Sequence, residues 1–79
     1  MNEQKNYDKV KRLFEQEHDF KFDSKAHEKH YVEHALYVAD CQYRDEHLYR
    51  EFPQFEDFLN THHMDAILHF IVARHYQVN

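Results

Sequence analysis

Residues 24–48 read SKAHEKHYVEHALYVADCQYRDEHL, and the fold class turns on the period of this stretch. Val32, Ala35, Leu36, Ala39 and Tyr43 recur three and four positions apart, which places them on one face of an α-helix. A strand is the competing reading of residues 35–39, but the apolar spacing fits a period of 3.6 better than a period of 2. Ser24, or Asp23 before it, offers a side-chain oxygen to the first free amides of such a helix. A helix running from Ser24 to Leu48 would be roughly 37 Å long at about 1.5 Å per residue. So small a domain is narrower than that. The helix is therefore expected to break near residues 44–46 or to project toward a partner.

The flanks read the same way. Over residues 3–17, Tyr7, Val10, Leu13 and Phe14 form one helical stripe, and Lys11 and Glu15 stand one turn apart on the polar side. The alternating link Asp19, Phe20, Lys21, Phe22, Asp23 is extended, with both phenylalanines tucked under the helices. Pro53 suits the first turn of a third helix over residues 53–60, with Phe55, Phe58 and Leu59 inward. Asn60 or Thr61 caps a fourth helix over residues 62–76, where Met64, Ile67, Leu68, Ile71 and His75 share a stripe. Residues 66–73 also carry strand propensity; helix is preferred.

Composition supports this. The chain has 79 residues, no glycine and one proline, and tight hairpins ordinarily need glycine at positive φ. With 16% aromatic residues set against 32% charged, there is material for a core and the chain is not of the disordered type. The expectation is all-α: one domain over residues 1–79, a small bundle of three to four helices with one long helix. Val32, Leu36 and Ala39 should pack against Leu13, Phe14, Ile67 and Ile71.

Several functions are disfavoured. A formal charge of −5 argues against direct nucleic-acid binding, and the bases Lys5, Lys9, Lys11 and Arg12 fit a solvated helix face. A chain without glycine has no glycine-rich phosphate loop. Ser24 is the only serine and sits in no nucleophile elbow; a lone Cys41 on a helix is ordinarily an inert small hydrophobe. His30 to His34 match H-x-x-E-H, yet Val32 falls on the core face and no third ligand is evident, so a peptidase is rejected. No enzyme is expected. One cysteine forms no internal disulfide, and the longest apolar run is interrupted by His69, so a cytoplasmic protein without a membrane partner is expected.

Two clusters remain. Nine histidines are many for this length, and His27, His30 and His34 share one helical face with Cys41, as His62, Asp65 and His69 share another. If the faces met, His30, His34, His62, Asp65 and His69 would supply a helical-bundle metal site. Both stripes are offset from the apolar stripes, so solvated faces are preferred, with no metal or cofactor. The metal-binding protein is the alternative.

The second cluster is acidic. Asp40, Asp45, Glu46, Glu51, Glu56, Asp57 and Asp65 are opposed within their segment only by Arg44 and Arg50. Aromatic residues with a charged rim are a common recipe for a contact surface. Tyr43, Asp45, Glu46, Tyr49, Glu51, Phe52, Phe55, Glu56 and Asp57 are accordingly the candidate partner-binding residues. The function expected is a small acidic regulator, adaptor or inhibitor of another protein with a basic surface, without catalysis. By analogy alone, such chains accompany phage and mobile elements. Homodimerisation through the long second helix is a further expectation.

Overall fold

A glycine-free alphabet yields helices joined by short turns. The computed structural model describes residues 3–77, and all regular structure among the described residues is helical. Helix α1 spans Glu3–Arg12 and widens into a π turn over Leu13–Glu17. Helix α2 spans Lys25–Asp45, α3 is the single turn Phe55–Phe58, and α4 spans His62–Gln77, with a 3-10 turn at Leu48–Arg50 between α2 and α3.

The stripe on α1 buries Val10 and Phe14 fully, and Tyr7 and Leu13 in part. Lys11 reaches Glu15 at 3.8 Å, the pair expected from their spacing. The π turn ends with the Phe20 amide bonded to the Phe14 carbonyl at 3.0 Å, six residues back. Asp19 takes the left-handed conformation there, φ 50°, which Asp tolerates better than most residues. This reversal drops Phe20 into the core, 1% exposed, with Phe22 beside it. The rings of Phe14, Phe20 and Phe22 lie 5.2 to 5.5 Å apart, in the range where tilted and edge-on aromatic pairs attract.

Ser24 starts α2: its Oγ accepts from the His27 amide at 3.1 Å. Asp23 precedes the cap, and its backbone amide donates to His27 Nδ1 at 3.0 Å. Ser24→Ala is therefore expected to cost about 1 kcal/mol. Asp23→Ala should stay within about 0.5 kcal/mol. Urea midpoints of the two variants check this, and equal losses would show that the cap is misassigned.

The length of α2 is limited as expected near residues 44–46. His47 adopts the left-handed conformation, φ 55°, just past Asp45, and its amide turns back to the Arg44 carbonyl at 3.1 Å. The width of the domain is not the cause, because its longest extent, 39 Å, exceeds the roughly 37 Å of the uninterrupted helix; the left-handed turn at His47 ends it.

The core gathers Val32, Ala35, Ala39 and Tyr43 of α2 with Val10, Phe14 and Phe20, Phe58 and Leu59, and Met64, Ile67, Leu68 and Ile71 of α4. Two expected members, Leu36 and Leu13, are only half-buried. The buried line of α2 runs through its small residues Ala35 and Ala39, which lie between α1 and α4. Leu36 is thereby turned to the α1 flank, where it borders a hollow with Glu3, Gln4 and Tyr7.

Downstream, Gln54 is extended and α3 begins after it, two residues later than Pro53. Thr61 rather than Asn60 serves the start of α4. Thr61 Oγ accepts from the His63 amide at 3.3 Å, while the Asn60 side chain bonds the Glu56 carbonyl at 3.2 Å. Residues 66–73 are helical. Among the described residues, no helix is long and apolar enough to cross a membrane.

Candidate functional site

Residues 66–73 of α4 read AILHFIVA, seven apolar positions in eight. A helix with one buried side needs an apolar stripe, not a continuous run. Met64, Ile67, Leu68 and Ile71 fill the core side. Helical spacing then puts Ala66, Phe70 and Ala73 on the outer side, and Phe70 is 64% exposed.

Beside Phe70 a groove runs between α4 and α2. One part, of about 350 Å³, is lined by His30, Tyr31 and His34 from α2 and by Phe70, Ile71, Arg74 and His75 from α4. It continues past His34 and Phe70 into a second part of about 300 Å³, bordered by Val38 and Gln42 on α2 and by Ala66 and Ile67 on α4. The floor is apolar and the rim carries imidazoles and a guanidinium. Among the described residues no carboxylate lines either part.

The end of the groove near His75 is fixed in place. The Tyr31 hydroxyl and His75 Nδ1 share a hydrogen bond at 2.9 Å, and the Phe20 ring stands edge-on to His75 at 5.0 Å. His75 was expected on the apolar stripe of α4; it lies there half-buried, with Nδ1 partnered. His30 and His34, one turn apart, stack with ring centres 6.4 Å apart and planes 9° from parallel.

The acidic aromatic segment is arranged differently from the contact surface expected of it. Tyr43 is buried, its hydroxyl donates to the Phe52 carbonyl, and its ring packs on Phe55 at 5.2 Å. Phe52 and Phe55 are half-buried against the core, and Phe58 is fully buried. A short chain spends its aromatic residues on its core, which leaves few of this segment's rings at the surface. Tyr49 remains 42% exposed, with its hydroxyl 2.7 Å from His47 Nδ1. Asp45, Glu46, Glu51 and Asp57 are exposed, and Glu56 lies 3.8 Å from Lys5. The rings and the acids thus separate into core and solvated rim.

The two histidine faces also stay apart. His30 and His34 border the groove, whereas His62, Asp65 and His69 are exposed and line neither part of it. His62 stacks on His63 at 4.4 Å. His27 is half-buried against Tyr31, ring centres 4.7 Å apart. Among the described residues no three His, Cys, Asp or Glu side chains converge as a set able to hold a metal ion. Cys41 is a half-buried free thiol.

Phe70, Val38 and Arg74 were missed by sequence reasoning. The available signal was the excess of apolar residues on α4, more than one buried face uses. Comparison with protein-family models, with curated proteins and with solved structures gives no match.

Proposed function

We propose that this protein is a non-catalytic docking module, a regulator, adaptor or inhibitor that binds another protein along the α2–α4 groove. The observation that carries this is the outer side of α4: a phenylalanine 64% exposed, between two alanines, at the edge of an apolar groove. Leaving such area in water forgoes about 25 cal/mol for each Å² of apolar surface that a partner would cover. An aromatic anchor within a polar rim is also the composition of energetic centres at protein interfaces. Helices α2 and α4 are preferred to residues 43–57 as the contact surface, since most rings of that segment pack inward. The exposed acids Asp45, at the end of α2, and Glu46, Glu51 and Asp57, after it in the chain, contribute to the net charge and its long-range field.

The test is photo-crosslinking in the cell that makes the protein. A benzophenone side chain replaces Phe70 in one variant and the exposed Lys29, outside the groove lining, in another. A discrete adduct with a second protein at position 70, absent at position 29, is expected. Equal labelling at both positions, or an adduct only with another copy of the chain, would overturn the proposal.

A further inference from the structure

The rim of the groove has the opposite charge character to the chain that carries it, and this says what the groove receives. The sequence has fifteen acids and ten bases, yet the groove is bordered by Arg74, His30, His34 and His75 and, among the described residues, by no carboxylate. Three of the four acids of α2 are placed elsewhere, and the fourth, Asp45, is the last residue of the helix, outside the lining. Glu28 bonds Tyr7 on the α1 side, Glu33 borders the hollow by Tyr7, and Asp40 pairs with Arg44 at 3.1 Å. We infer that the groove binds an amphipathic helix of a partner protein, with apolar anchors on Tyr31, Val38, Phe70 and Ile71 and with carboxylates facing Arg74 and the rim histidines. This rests on the docking function proposed above and adds the chemistry of the partner.

Dimensions agree with that occupant. Along α2 the lining runs from His30 to Gln42, roughly 18 Å at about 1.5 Å per residue, or a little over three helical turns. Three turns present anchors at i, i+4 and i+7, the usual way a helix seats in an apolar groove. A guanidinium takes a carboxylate by two parallel hydrogen bonds, and an imidazole N–H donates whether or not the ring is charged. A second copy of this chain fits poorly. An isologous pair on this face would bring the two copies of Arg74 into one interface, with no carboxylate of the described lining to meet them.

Selection from a displayed library of helical peptides tests the inference, with three apolar anchors fixed and the flanking positions randomised. The full-length chain is the bait, and Phe70→Ser, a change at an exposed position, is the counter-selection. Binders rich in Asp and Glu beside the anchors are expected. They should lose binding to Phe70→Ser and weaken roughly tenfold or more on Arg74→Glu, with affinity falling as salt rises. Phe70-dependent binders rich in Lys and Arg would overturn the acidic partner and leave the docking function standing. No Phe70-dependent binder at all would overturn both. Sedimentation of the chain alone, showing a dimer abolished by Phe70→Ser, would assign the groove to a second copy and overturn the inference.

Discussion

Phe14→Ala is expected to cost about 3–5 kcal/mol, the usual loss for a fully buried phenylalanine. Phe14 has no exposed surface, and its ring meets those of Phe20, Phe22 and Tyr31 at 5.5, 5.5 and 6.5 Å. A chain of this length has on the order of 4–12 kcal/mol of stability in all. The variant should therefore lose a large part of its helical signal at room temperature, or unfold at a much lower urea concentration. Leu36→Ala is the comparison. Its sequence position suggests a core residue of similar cost, but it is half-buried on the α1 flank, so a loss of about 1 kcal/mol is expected. Denaturation midpoints separate the two. If Leu36→Ala cost as much as Phe14→Ala, the buried line of α2 would have to run through Leu36 and not through Ala35 and Ala39.

The contrast between those two residues shows which parts of the fold were legible. Helical periods were visible because each helix repeats its apolar positions, and the Ser24 cap and the Phe20–Phe22 link were visible because their signals are local. The π turn at Leu13–Glu17 was not, since an apolar stripe spaced three and four apart is compatible with either hydrogen-bond pattern over a single turn. The side on which Leu36 falls was not visible either, because it depends on how closely α2 approaches α1 and α4. The site was less legible for the same reason. Phe58 follows two acids and is fully buried, whereas Phe70 stands in an apolar run and is 64% exposed, the reverse of what their flanking residues suggest; the packing of α3 and α4 decides it. The absence of acids around the groove likewise follows from which flank of α2 turns toward α4.

A second large effect is expected where α1 crosses α2, at a buried carboxylate. Glu28 is 9% exposed, accepts from the Tyr7 hydroxyl at 2.8 Å and lies 3.9 Å from Lys11 Nζ. Glu28→Ala removes the acceptor and leaves the half-buried hydroxyl without this partner, a loss of about 1–3 kcal/mol. The same contact makes stability depend on alkaline pH. Burial, then the hydrogen bond to Glu28, then the negative charges of Glu28, Glu33 and Asp8 push the Tyr7 hydroxyl up to about 12. In the unfolded chain a tyrosine ionises near pH 10. The folded state thus holds this proton more tightly, so the stabilisation is complete below about pH 10 and is lost as pH rises through about 12. Melting temperatures measured upward from neutral pH should turn down from about pH 10. Tyr7→Phe should lower stability at neutral pH, where Glu28 loses its donor, and should flatten part of that alkaline decline. The difference in tyrosinate absorbance between the parent and Tyr7→Phe isolates one group. Its appearance near pH 10 instead of about 12 would mean that the bond to Glu28 does not form in solution.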